Sequence, residues 1–153
     1  MEIHITSPAF ANGDDIPTRY TCDGQNVSPP LQWDAVPEET QAIALICDDP
    51  DAPMKTFVHW VLYNLPPAAR ELPENAGADA SLPDGAEEGV NDFAKAGYGG
   101  PCPPSGTHRY YFKIYALDRQ VKPGRHATKD DLLKAVRGHI LGQGQLMGRY
   151  TRQ

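Results

Sequence analysis

The stretch Ala42–Leu65, AIALICDDPDAPMKTFVHWVLYNL, decides how the rest of the chain is read. It opens with a continuous apolar run, Ala42 to Cys47, with the composition of a strand buried on both faces. It closes with FVHWVLYNL, Phe57 to Leu65, rich in β-branched and aromatic residues, which reads as a second, central strand. Three aspartates (Asp48, Asp49, Asp51) and two prolines (Pro50, Pro53) separate the runs, and such residues do not continue a strand. Strict alternation along the second run puts Phe57, His59, Val61 and Tyr63 on one face, and Val58, Trp60 and Leu62 on the other. A histidine inside such a run is costly to bury without a partner.

Arg109 to Leu117, RYYFKIYAL, predicts a third strong strand in which Tyr110, Phe112 and Ile114 share a face, with His108 in phase. Weaker strands are predicted at Ile3 to Thr6, Leu31 to Trp33 and Gln145 to Tyr150. One helix is predicted from Thr128, with Asp131 completing a capping box. Leu132, Leu133, Val136 and Ile140 would form its apolar stripe, Gly142 its stop, and the edge of the sheet its seat. Pro73 to Gly100 is poor in apolar residues and reads as a long ordered loop of functional character.

At 153 residues the chain is expected to be one domain, 1–153. Fifteen prolines are about twice the usual ~5%, and they stand between apolar runs rather than in one tract. That pattern reads as a mainly all-β protein with stiff, structured loops. A net charge of -6 makes nucleic acid an unexpected partner. No run of ~18 apolar residues is present, so no integral membrane association is expected. MEIHITSPAF lacks the features of a secretory signal. Cys22, Cys47 and Cys102 are odd in number and without CxxC spacing, which points to reduced thiols and a cytoplasmic setting. Ala52–Pro53 is the first candidate for a cis peptide bond.

Two places break the pattern of an ordinary β core: Asp49-Pro50-Asp51-Ala52-Pro53 with His59 after it, and GYGGPCPPSGTHRY, Gly97 to Tyr110. Taken singly, each has a plain structural reading. His59 could be a satisfied core residue, Asp-Pro-Asp a turn, Cys102 a packed residue and Tyr110 an amphipathic aromatic. Together, two histidines, two aspartates and a tyrosine at rigid loop-to-strand junctions form a candidate preorganised polar pocket.

DPDAP followed by HW, with NDFAKAGYGGPCPPSGTHRY downstream, resembles the phosphatidylethanolamine-binding protein family, and its bacterial and archaeal branch in particular. TCDGQNVSPPLQW, Thr21 to Trp33, and the ending QLMGRYTR resemble that branch as well. The resemblance implies an antiparallel β-sandwich around a large sheet, with short helices, one near the C-terminus, and a small anion pocket. It carries the pocket residues over to Asp49, Asp51, His59, Pro103, His108 and Tyr110.

The chemistry expected there is a cup of donors. A carboxylate bonded to one imidazole nitrogen would leave the other N–H facing outwards, joined by the Tyr110 hydroxyl and loop N–H groups. The neighbouring aspartates are expected to raise the histidine titrations above ~6.5. The aspartates could also meet a cationic amine. The expected protein is therefore a non-enzymatic binding module without cofactor or metal. Its ligand would be a phosphate-containing small molecule or a lipid head group. A protein kinase or protease is the candidate regulated partner, and the branch implies a homodimer. The alternative is a hydrolytic enzyme using the same Asp/His pocket. Against it, no HExxH spacing and no activated Ser or Cys is visible.

Overall fold

A computed structural model describes residues 1–77 and 82–152. Eight strands, β1 (Ile5–Thr6), β2 (Leu31–Trp33), β3 (Ala42–Asp49), β4 (Phe57–Leu65), β5 (Glu71–Leu72), β6 (Glu87–Glu88), β7 (Thr107–Leu117) and β8 (Ile140–Thr151), accompany one α-helix, α1 (Lys129–Val136). The strands form a five-stranded sheet in the order β6-β4-β3-β7-β8 and a three-stranded sheet in the order β1-β2-β5. Every pairing between these strands is antiparallel. The expected antiparallel β-sandwich is the architecture observed.

β3 is central because its composition allows burial on both sides. Ile43, Leu45 and Cys47 enter the core between the sheets, with Leu31, Trp33 and Leu72 from the small sheet and Phe112 and Ile114 from β7. Ala44 and Ile46 face the opposite way, into a second core with Val61, Tyr63, Leu132 and Val136. Helix α1 thus covers the outer face of the large sheet rather than its edge. The even alternation of apolar residues in β3 gives that face enough buried surface to hold a helix. The strand runs two residues beyond Cys47, so Asp48 and Asp49 lie inside the sheet.

The alternation expected of β4 fails at two bulges. Cys47 pairs with Trp60 but Asp48 pairs with Val58, leaving His59 as the extra residue. A bulge re-aims the side chain at its own position and shifts the phase of the residues beyond it. Val58, Val61 and Tyr63 accordingly share the outer core, while Trp60 and Leu62 lie in the inner one. His59 is parted from Val61 and Tyr63 and packs instead against Tyr110 of the inner face, ring centroids 5.2 Å apart. The second slip, between Ile43 and Leu45, falls at Asn64, whose φ is 59°. Its side chain satisfies both backbone groups of Val121.

The capping box of α1 is present: Thr128 accepts from the Asp131 N–H and Asp131 accepts from the Thr128 N–H. The helix ends at Val136, earlier than expected, and Gly138 (φ 81°) supplies the turn in place of Gly142. Ile140 and Gly142 belong to β8, where pairing along the whole of β7 outweighs the continued helical period. Ala52–Pro53 is trans, and no cis peptide bond occurs among the described residues. Residues 78–81 of the long stretch from Pro73 lie outside the described residues. The remainder of that stretch is tied down by β6 and a bridge from Val90 to Ala96.

Cys22 and Cys102 form a disulfide, which corrects the expectation of reduced thiols. Spacing along the chain could not reveal a pair 80 residues apart. The cytoplasmic expectation loses the support it drew from the cysteines. No helix of the described residues is long and apolar enough to cross a membrane.

Candidate functional site

Four of the six expected site residues converge where β3 ends, β4 bulges and β7 begins. Asp49 is the last residue of β3, and its Oδ2 accepts from Nδ1 of His108 at 2.6 Å. Both side chains are almost fully enclosed, 4% and 9% exposed. The other oxygen, Oδ1, accepts the Asp51 N–H at 2.7 Å, which folds the DPD turn back over the carboxylate. His108 and Tyr110 lie two apart on β7 and stack with ring centroids 6.4 Å apart. The Tyr110 side chain is wholly buried, and its hydroxyl has no hydrogen-bond partner among the described residues. Burial, then the Asp49 charge, pushes its titration well above the ordinary tyrosine value.

His59 is held differently from His108. Its Nδ1 lies 2.6 Å from the carbonyl of Gly99, and its own carbonyl accepts the Gly99 N–H at 2.9 Å. Phe57, Phe93 and Tyr110 surround the ring. Burial pulls its titration below the ordinary histidine value, against the opposing effects of the Gly99 carbonyl and of Asp49, Asp48 and Asp92. The expected rise is thus reversed for His59, because desolvation outweighs carboxylates that do not touch it. The carboxylate orients the imidazole of His108, not that of His59.

The wall of the site is the segment from Gly97 to Pro103, and it is strapped to residues 18–26. Tyr98 Oη donates to the Tyr20 carbonyl, the Gly100 N–H donates to Asn26 Oδ1, and the Cys22 N–H donates to the Pro101 carbonyl. The Cys22–Cys102 bond completes the strap, immediately before the buried Pro103. Gly99 and Gly100 are required by close approach. A Cβ at Gly99 would stand 2.4 Å from the Phe93 ring, and one at Gly100 would stand 2.3 Å from the Tyr20 carbonyl oxygen. The amides of both glycines are engaged within the protein, so they are not the free loop donors that were expected.

Asp51 is also not free. Its carboxylate accepts from the Arg109 N–H at 2.9 Å, from Nε at 2.8 Å and from Nη2 at 2.8 Å. Hydrogen bonding to the Arg109 side chain lowers its titration to about 2, against a smaller effect of burial. Asp51 is thus held in the turn by Arg109. Sequence reasoning missed the Gly99 carbonyl, the aromatic lid of Phe57 and Phe93, and the disulfide. The paired glycines at 99 and 100 were the available signal for a close backbone approach.

Elsewhere, a recess of about 660 Å³ lies between the N-terminal segment and the outer face of β7 and β8, lined by His4, Lys113 and Tyr115 among others. It is remote from the histidine cluster and brings no comparable set of oriented groups together. Among the described residues no group of three or more His, Cys, Asp or Glu side chains is arranged to hold a metal ion.

Comparison with known proteins agrees with this fold. The sequence model of a family described as phosphatidylethanolamine-binding protein matches residues 6–151. A UPF0098 protein of Methanothermobacter thermautotrophicus is 52% identical, over 98% of this chain and 99% of its own. A solved structure from Chlamydia trachomatis, named as a homolog of phosphatidylethanolamine-binding protein, is similar with a TM-score of 0.91 at 39% identity, covering 99% of both chains. Escherichia coli YbcL, described as a new member of the mammalian family, is similar with a TM-score of 0.92 at 32% identity, covering all of both chains.

Proposed function

The chain belongs to the phosphatidylethanolamine-binding protein family, and from that premise we propose that it is a non-enzymatic module that binds a small phosphoryl group at His108, His59 and Tyr110. One observation carries the reading: a buried Asp49–His108 pair stands beside a buried tyrosine hydroxyl that has no partner among the described residues. An unsatisfied buried hydroxyl costs about 1–3 kcal/mol, which a ligand oxygen would offset. Asp49 fixes the tautomer of His108, with the proton on Nδ1, and supplies the opposite charge when Nε2 is protonated too. In that state Nε2–H is a charge-assisted donor to a phosphoryl oxygen. Pro103 and the strapped loop hold the wall in place.

The hydrolase alternative needs a nucleophile or an activated water. Cys102 is bonded to Cys22, and Cys47 is a fully buried thiol pushed well up in titration by burial. Regulation of a kinase or protease, self-association as a homodimer and a cytoplasmic setting belong to the same proposal. Regulation and self-association are carried by the family resemblance, the cytoplasmic setting is not, and the ligand test does not depend on any of them.

The test is calorimetric titration with inorganic phosphate. Binding should weaken as pH rises, because a neutral imidazole with its proton on Nδ1 offers no donor at Nε2. His108→Ala should lower affinity about tenfold or more, the loss expected for one charge-assisted hydrogen bond. Asp49→Asn should weaken binding too, although it removes a negative charge near the anion, because the oriented imidazole loses its carboxylate. Arg109→Ala should have a smaller effect, since that side chain turns to Asp51 on the other face. Tighter binding by Asp49→Asn, with no effect of His108→Ala, would exclude this pocket as the phosphate site.

A further inference from the structure

The two imidazoles are not equivalent, and the difference specifies the ligand's protonation. A carbonyl oxygen can only accept, so the 2.6 Å contact with Gly99 places the proton of neutral His59 on Nδ1. Its Nε2 then carries a bare lone pair, and no hydrogen-bond partner for that atom is found among the described residues. His108 is fixed in the same tautomer, but its inner partner is a full carboxylate. A second proton on His108 is therefore charge-balanced within the pair. A second proton on His59 would face only the dipole of Gly99 and a shell of Phe57, Phe93 and Tyr110.

The charged groups acting on His59 come from β3 (Asp49 and Asp48) and from the loop after β6 (Asp92). None is hydrogen-bonded to it. Asp49 is bound to His108 and the Asp51 N–H, Asp48 to two lysines, and Asp92 to the Val58 N–H. Burial lowers the titration of His59, which favours the neutral ring. The site thus pairs one ring that donates when protonated, one hydroxyl that can donate, and one ring that accepts.

We propose that the group bound here is a phosphomonoester in its monoanionic form, whose P–OH donates to Nε2 of His59 while its bare oxygens accept from His108 and Tyr110. This rests on the anion-pocket reading above. A fully ionised phosphate offers acceptors alone and would set a lone pair against the lone pair of His59. A phosphodiester carries the same single negative charge as the monoanion but has no P–OH. The site therefore discriminates by a proton on the ligand rather than by charge, and it selects a small phosphomonoester over a diester head group. No bond is made or broken, and the proton stays on the ligand, shared in the hydrogen bond.

Methyl phosphate and methyl sulfate separate the possibilities, since they match in size and, at about pH 5.5, largely in charge, the second phosphate titration lying near ~6. Only methyl phosphate has a proton to donate. By calorimetry the wild-type protein should bind methyl phosphate about tenfold more tightly than methyl sulfate, and dimethyl phosphate no better than the sulfate. His59→Phe keeps the ring packing but removes the lone pair. It should abolish the preference for methyl phosphate over methyl sulfate.

Equal binding of methyl phosphate and methyl sulfate by the wild-type protein, both abolished by His108→Ala, would overturn the proton-acceptor role and leave the anion pocket standing. Binding of neither would overturn both. The wild-type comparison decides the matter even if His59→Phe does not fold.

Discussion

Asp48 and Asp49 are consecutive in β3 and both nearly inaccessible, at 0% and 3% exposed, yet they build two different kinds of region. Asp48 points to the outer face. There its Oδ2 accepts from Lys113 Nζ at 3.1 Å and from Lys129 Nζ at 2.7 Å. Asp49 points to the inner face and meets a single imidazole, whose second nitrogen has no protein partner among the described residues. The first carboxylate is overcompensated by two permanent cations and ties α1 to the sheet. The second is matched to an imidazole, a group that exists in neutral and charged forms. Burial of an acid therefore does not mark function by itself; the chemistry of its partner has to be read with it.

The comparison breaks most severely if the outer region loses its cations. Replacing Lys113 and Lys129 together by Met should destabilise the fold by about 3–5 kcal/mol in urea unfolding, because an enclosed carboxylate is left without a counter-charge. Phosphate titration of the folded fraction should be unchanged, since those lysines face away from the pocket.

On the pocket side the corresponding break is the strap. Replacing Cys22 and Cys102 together by Ser should cost about 2–4 kcal/mol in the same measurement, the usual value for a disulfide closing a long loop. Unlike the lysine pair, it should also weaken phosphate binding, because the wall carrying Gly99 and Pro103 loses its tether.

A milder test concerns the helix that delivers Lys129. Thr128→Ala removes the side-chain acceptor for the Asp131 N–H and should cost about 1 kcal/mol, read as a lower melting temperature. Ligand affinity should not move.

The smallest effect expected is an acid sensitivity confined to the pocket. His59 titrates below its ordinary value of 6.5 in the folded chain. Between the lowered value and 6.5 the unfolded chain binds a proton that the folded chain does not. Its contribution is therefore fully present above 6.5 and is lost as pH falls towards the lowered value. Urea midpoints compared near about pH 5 and about pH 7.5 should fall on the acid side for the wild type and fall less for His59→Phe.

Some of this molecule was legible in the chain because the relevant signal is local. The run AIALIC, the alternation of Tyr110, Phe112 and Ile114, and the Thr128–Asp131 capping box each depend on residues a few positions apart, and each appears as read. Two histidines, two aspartates and a tyrosine stand out from the residues themselves, and the resemblance adds Pro103; four of the six, Asp49, His59, His108 and Tyr110, come together. The features that the chain did not disclose depend on register and long-range pairing. Whether His59 faces Tyr110 or Val61 is set by one extra residue in β4, a bulge that only the partner strand defines. That Asp49 orients His108, 59 positions away, rather than the nearer His59 results from β3 lying between β4 and β7. Ile140 left the helical stripe because the twelve-residue strand β8 pairs along the whole of β7, a gain in sheet hydrogen bonds that no helical period announces. Cys22 and Cys102 meet because residues 18–26 pack beneath the pocket loop. Sequence determined which residues can take part. The tertiary structure decided which nitrogen, oxygen or sulfur each one faces, since hydrogen bonding is directional and acts over a few ångströms, distances that chain position does not measure.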